Sequence, residues 1–247
     1  MLSTRKGERG LLRSFRYRAR SLIAGQCCFC QVIPAGSAGL CPICTGLLPH
    51  LLNQCQRCAL PLASPEDSHC PQCLSQPPEL DSAYAAFLYG YPVNRMVAAF
   101  KYRNQLAAGR ALSLTLAQHI AEQPALADVD YLLPVPMHWG KQLRRGFNQA
   151  ELVARDLGKV LGLRLQANLI KARRRKAAQQ QLDKLQRRRN LQGVFYIPAN
   201  RAGAIAGRHI LLVDDVITTG ATLNTLAWLL KLAGAHRVSA CALARVP

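Results

Sequence analysis

Apolar positions change their period along the chain, and the change divides it. From residue 82 onward, short apolar runs alternate with longer stretches in which Ala, Leu, Ile and Val recur every three or four places. The short runs predict strands over residues 84–89, 131–135, 194–197, 209–213 and 238–243. The longer stretches predict helices from Pro92 to about residue 102, over 106–122, from Gln149 to about residue 161 and over 222–233. Pro92 suits a first helical turn, Asn148 suits an N-cap, and Gly234 suits a helix end. A loop is expected after residue 135. Alternating strands and helices imply an α/β fold over 82–247, with a mainly parallel sheet and helices on both faces. Ligands of such sheets sit outside the carboxyl ends of the strands.

Residues 27–76 carry no helix or strand period and are rich in Cys, Pro and Gly. So short and irregular a segment buries little apolar surface and needs staples. Nine of the ten cysteines lie here, in an order that places four CxxC pairs at Cys27/Cys30, Cys41/Cys44, Cys55/Cys58 and Cys70/Cys73. CxxC sets two thiolates on one turn, and two such turns complete a tetrahedral zinc site. Two structural Zn²⁺ sites are therefore expected, with iron–sulfur ligation as the other reading. Cys28, His50 and His69 lie near these ligands and read as spare side chains; Cys241 reads as a core residue. Residues 75–78 read as a linker, and residues 1–26 as a basic flexible arm.

Charge narrows the class of partner. Lys and Arg outnumber Asp and Glu by 32 to 13, a formal net charge of +19. Fifteen of the basic residues fall within 141–189, against three acids, and seven within 1–26, against one. Clustering on this scale points to an anionic partner, either nucleic acid or a polyphosphate ligand. No apolar run approaches the ~18 residues of a membrane span, and Leu11-Leu12 is too short for a signal peptide. A cytoplasmic location is expected. Ten cysteines without an export signal argue for metal and against a disulfide framework.

The most specific string is Ile210-Leu211-Leu212-Val213-Asp214-Asp215-Val216-Ile217-Thr218-Thr219-Gly220-Ala221-Thr222. An apolar strand delivers two carboxylates, a Thr-Gly-Ala turn follows, and a helix begins. The helix start offers unpaired N–H groups and a partial positive charge to a phosphate. Gly220 permits close approach, and Thr218, Thr219 and Thr222 add hydroxyls. The acids would repel a bare phosphate but suit vicinal hydroxyls or Mg²⁺. A ribose 5-phosphate satisfies both halves. The plainer alternative is an Asx turn ahead of a capped helix.

The whole string resembles the binding signature of type I phosphoribosyltransferases for 5-phosphoribosyl-1-pyrophosphate (PRPP). Two further strings narrow the likeness. The first is Pro134-Val135-Pro136 followed by Arg144-Arg145-Gly146-Phe147-Asn148-Gln149. The second is Gln179-x-x-Leu182 followed by Arg187-Arg188-Arg189-Asn190-Leu191-Gln192-Gly193-Val194-Phe195. In this order, behind paired CxxC motifs, they resemble the ComF family, including its GntX-type members, over residues 27–247.

The resemblance implies a type I phosphoribosyltransferase fold with a small N-terminal zinc module at 27–76. It further implies PRPP with Mg²⁺ at Asp214, Asp215, Thr218, Thr219, Gly220, Ala221 and Thr222, and a role in DNA uptake or utilisation. Single-stranded DNA or a DNA-processing helicase is the implied partner. Arg144 and Arg145 fall where relatives hold pyrophosphate; a basic helix entry facing solvent or nucleic acid is the other reading. Residues 171–190 fall where many such enzymes carry a loop that closes over PRPP. Lys101, in Phe100-Lys101-Tyr102-Arg103, has no assignable role. Thr218 stands where purine-salvage relatives place an acid, and the chain stops at Pro247, so any base pocket is expected from the N-terminal half. A transferase and a non-catalytic DNA- or partner-binding scaffold both remain open.

Overall fold

The structure is a computed structural model and describes residues 25–36, 38–137, 139–173 and 194–247. Most of the expected basic arm, and the stretch 174–193 with its Gln179–Asn190 motif, lie outside the described residues.

The centre is a five-stranded sheet in the order β1 (Ser82–Leu88), β7 (Arg237–Arg245), β6 (His209–Ile217), β2 (Tyr131–Pro134) and β3 (Arg164–Leu165). Every pairing is parallel. Strands β1, β2, β6 and β7 are largely buried on both faces, which is why they read as apolar runs without alternation. One face is covered by helices α3 (Val93–Tyr102), α4 (Leu106–Ala121) and α6 (Gln149–Leu161). The opposite face holds α7 (Ala221–Leu232) and a separate antiparallel hairpin of β4 (Lys171–Ala172) and β5 (Phe195–Tyr196). Within the first layer Gly109 lies flat against Phe100: a Cβ there would sit 2.6 Å from the ring. That approach seats α3, whose last turn carries Lys101.

Four elements differ from expectation. Residues 27–76 contain two one-turn helices, α1 (Pro42–Gly46) and α2 (Pro71–Ser75), each starting at a Pro directly after a CxxC cysteine. Pro is pre-organised for that position, and a single turn is too short to leave a period in the sequence. The loop after residue 135 contains α5 (Trp139–Arg145), masked in sequence by its basic composition. Finally, β6 does not stop at Val213. It continues through both acids to Ile217, because Asp214 and Val216 keep their register with Ala242 and Ala244 of β7.

The Cys-rich segment also caps the sheet. Leu51 N donates to Ala86 O at 2.9 Å, Leu88 N to Pro49 O at 2.8 Å and Ala83 N to Gln56 O at 2.8 Å. Between them the Gln54 side chain stands in for a peptide. Its Oε1 accepts from Ala85 N at 2.8 Å, and its Nε2 donates to Ala85 O at 3.2 Å. The outer edge of β1 is thereby covered, which blunts its capacity to pair with another chain.

At the amino ends of the strands, Ser82 Oγ donates to Ser239 Oγ at 2.8 Å, and His209 joins Ser239 Oγ at 2.9 Å and Asp128 Oδ1 at 2.8 Å. Asp128 can only accept, so Nδ1 carries the ring proton and Nε2 accepts from Ser239. The order resembles a hydrolase triad, but Ser239 is fully buried. The relay pins three strands together and reaches no substrate.

Candidate functional site

The two carboxylates, the Thr-Gly turn and the start of α7 come together at the carboxyl end of β6, as the fold class requires. Gly220 sits at φ 73° and is the N-cap of α7. A Cβ at this position would meet only Ile217 Cγ2, at 4.0 Å, so the backbone angle and not crowding selects glycine. Thr219 Oγ1 accepts from Ala221 N at 3.3 Å, and Thr225 Oγ1 donates to Ala221 O at 2.9 Å. Thr218 and Thr219 are exposed, with Thr222 half-buried beside them. The turn therefore presents hydroxyls and helix-start amides to solvent.

The acids differ from each other. Asp214 Oδ1 accepts from Asp215 N at 2.8 Å. It keeps a little accessible surface, yet burial, with the neighbouring charge of Asp215, pushes its carboxyl up to about 7. Asp215 forms an ion pair with Lys101, Nζ to Oδ1 2.9 Å. Lys101, unassignable by sequence, is thus part of the site. Near neutral pH Asp214 is only partly ionised and the Asp215 charge is met by Lys101, which suits the hydroxyls of a sugar.

The Arg144 side chain is outside the described set. The Arg145 guanidinium lies over the Tyr102 ring at 5.2 Å and donates to Gln149 Oε1 at 3.2 Å. Gln149 is fully buried, and its Nε2 has no partner among the described residues. Asn148 caps α6 as expected: Oδ1 accepts from Ala150 N at 3.1 Å while Nδ2 donates to Val135 O at 3.1 Å. This fixes the Pro134-Val135-Pro136 strand end against the helix that follows.

The eight CxxC cysteines form two groups, Cys27/Cys30/Cys41/Cys44 and Cys55/Cys58/Cys70/Cys73, with the four sulfurs of each within 4.8 Å of one another. Cys30 and Cys41 sulfurs are 3.9 Å apart, and Cys58 and Cys70 sulfurs 3.7 Å. A tetrahedron with Zn–S bonds of ~2.3 Å has an edge of about 3.8 Å, so both groups have the dimensions of a structural zinc site. Burial pushes the Cys44 thiol up to about 12 and Cys58 up to about 11. At Cys27 and Cys55 burial is outweighed by backbone N–H groups aimed at sulfur, which bring the thiols down to about 6 and about 7. Each group thus offers a thiolate near neutral pH, the form a cation binds. Cys28, His50 and His69 fall outside both groups; His50 stacks on Phe87, and His69 Nδ1 meets Ser68 Oγ. Cys241 is fully buried in β7.

Arg245, at the end of β7, was not singled out by the sequence reading. The signal was available: a lone charge in the otherwise apolar or small run 238–246. It is 7% exposed. Among the described residues no helix is long and apolar enough to cross a membrane.

A model of the phosphoribosyl transferase domain matches residues 143–247. DNA utilization protein YhgH of Salmonella typhimurium is 30% identical over 227 residues, which is 90% of this chain and 98% of that protein. Competence protein F of Haemophilus influenzae is 34% identical over 180 residues, 72% of this chain and 78% of its own. Among solved structures, the glutamine PRPP amidotransferase of B. subtilis, complexed with ADP and GMP, aligns with a TM-score of 0.37 and 18% identity. That alignment covers 52% of this chain and 25% of the other, too little to bear on the fold. The domain match, the all-parallel sheet and the two cysteine groups agree on a type I phosphoribosyltransferase fold with an N-terminal metal-binding module. On the strength of relatives that span nearly its whole length, the chain belongs to the ComF family.

Proposed function

We propose that the turn after β6 binds PRPP, with Mg²⁺, and that the protein acts in the cytoplasm in DNA uptake or utilisation. The observation that carries this reading is the geometry at 214–222: two acids at the strand end, one paired to Lys101, then a left-handed Gly220 opening a twelve-residue helix. Thr218, Thr219, Gly220, Ala221 and Thr222 hold the 5′-phosphate through amides and hydroxyls. Asp214 and Asp215 accept from the ribose hydroxyls, directly or through Mg²⁺ and water. Arg144 and Arg145 meet the pyrophosphate. The two cysteine groups hold structural zinc, in a module at 27–76 that serves the domain at 82–247.

Phosphoribosyl transfer breaks the C1–O bond to pyrophosphate. It needs cations at the leaving group and no protein nucleophile. Thr218 replaces the acid that purine-salvage relatives place there, so the turn itself selects no base acceptor. That replacement, with the net charge of +19, favours a second reading: a non-catalytic protein that keeps the fold as a scaffold and binds single-stranded DNA or a helicase partner. The names of the relatives, competence protein F and DNA utilization protein, support the biological setting of both. Calorimetric titration with PRPP and Mg²⁺ tests the shared element, ligand binding at the turn. The absence of heat with correctly folded protein would remove it.

A further inference from the structure

Arg245 ends a strand whose neighbours from 238 to 244 are all buried. A buried guanidinium normally meets a carboxylate, but Arg245 forms no ion pair among the described residues. Its partners are main-chain carbonyls. Nε donates to Cys58 O at 3.1 Å, and Nη1 donates to Ile217 O at 3.5 Å and to the carbonyls of Thr218 and Val246. Cys58 belongs to the second cysteine group. Ile217 and Thr218 are the last strand residue and the first turn residue at the phosphate site.

The direction of these bonds matters. In a trans peptide the C=O and the following N–H point opposite ways. Carbonyls 217 and 218 are drawn inward to the guanidinium, so the N–H groups of Thr218 and Thr219 are turned away from Arg245. Ile217 O also accepts from Val246 N at 2.9 Å, whereas among the described residues nothing else holds Thr218 O. The other end of the guanidinium rests on the Cys55–Cys58 turn. That turn is itself closed by Cys55 N to Leu60 O at 2.8 Å and Ala59 N to Cys55 O at 2.8 Å. Its order depends on its two thiolates being gathered with those of Cys70 and Cys73 on one ion. The first group has no such link: among the described residues no hydrogen bond joins it to the turn at 217–222.

We propose that Arg245 is a positioning residue that aims the amides of the phosphate turn, and that its hold on Cys58 makes the order of this turn depend on metal in the second cysteine group and not the first. The ligand arm of this idea rests on the reading of the turn as a ribose 5-phosphate site; the coupling itself does not.

The test is hydrogen exchange across 216–224 in the full chain, with zinc content measured alongside. Cys73→Ser should lose one zinc equivalent and speed exchange at the turn. Cys44→Ser should also lose one equivalent yet leave the turn within about twofold of wild type. Ribose 5-phosphate affinity should fall about tenfold in the first variant and hold in the second. Arg245→Lys keeps a cation for the Thr218 carbonyl but cannot span to Cys58. With both zincs retained its turn should stay ordered, and adding Cys73→Ser should no longer change it. Arg245→Met should loosen the turn with both zincs in place. Unchanged exchange in Cys73→Ser, or equal loosening by both cysteine variants, would overturn the proposal. If wild-type protein binds no ribose 5-phosphate, the ligand reading fails and the exchange data still decide the coupling.

Discussion

Lys101 Nζ lies 2.9 Å from Asp215 Oδ1, joining the last turn of α3 to the acid pair of β6 across 114 residues of chain. Both side chains are mostly buried, at 19% and 13% exposure. With Asp214 pushed up to about 7, its carboxyl is only partly ionised near neutral pH, and the Asp215 charge is met by Lys101. Lys101→Met removes the internal cation, so ribose-phosphate binding in this variant should lean more heavily on Mg²⁺. Calorimetry of ribose 5-phosphate with and without Mg²⁺ reads this as a wider gap between the two affinities than in wild type. An identical gap would mean the pair only braces the fold.

Asp215→Asn keeps the volume and removes one charge, so it should weaken PRPP by roughly ten- to a hundredfold, the value of about 1.5–3 kcal/mol for one charge-assisted contact. Gly220→Val should abolish binding for another reason: there is room for the side chain, but a β-branched residue resists φ 73° and shifts the amides. Ribose 5-phosphate should compete with PRPP, and sulfate only weakly. Equal heats from wild type and both folded variants would reduce the turn to an inherited feature.

Metal analysis of protein purified without chelators should give close to two zinc equivalents per chain. Cys44→Ser should lose one and destabilise residues 27–50. Iron and inorganic sulfide in its place would correct the identity of the metal, and no metal at all would remove the reading of both groups.

Single-stranded DNA should bind with little sequence preference and with an affinity that drops steeply as salt rises, because Lys and Arg release condensed counterions. Only 6% of residues are aromatic, so stacking should contribute little. A labelled oligonucleotide that fails to bind even at low salt assigns the charge to another partner.

Acid should weaken the fold through His209. Burial lowers the imidazole below its ordinary value, and the Asp128 hydrogen bond opposes this only in part. A group whose folded value is depressed contributes stability above its unfolded value, ~6.5 for His, and loses it as pH falls below that point. The urea midpoint should therefore decline on acidification below about pH 6.5, and His209→Gln should flatten that decline. An unchanged slope in the variant would place the acid sensitivity elsewhere.

The strands and long helices were legible because burial on both faces writes itself as apolar runs and burial on one face as a helical period. The turn at 218–222 was legible because a left-handed backbone and a helix start demand particular residues within a few positions. Apolarity marks β6 only as far as Val213, since Asp214 and Asp215 break the run while the backbone on through Val216 stays in register with β7. Lys101 and Arg245 were not legible as site residues. Each acts on a partner far away in sequence, Lys101 on Asp215 and Arg245 on Cys58, and only the fold brings those pairs together.

The order β1-β7-β6 places the last strand between two earlier ones. Ser82 and Ser239 are bonded neighbours, yet 157 residues separate them. As the chain emerges from the ribosome, β1 has to wait for almost the whole of the remaining protein before its inner partner exists. During that wait its outer edge can already be occupied, because residues 49–56, with Gln54 as a surrogate peptide, are synthesised just ahead of it. The cysteine-rich segment thus serves as a built-in guard for a nascent strand, and its failure to gather metal should show first as aggregation during synthesis, ahead of any loss of binding in the finished protein.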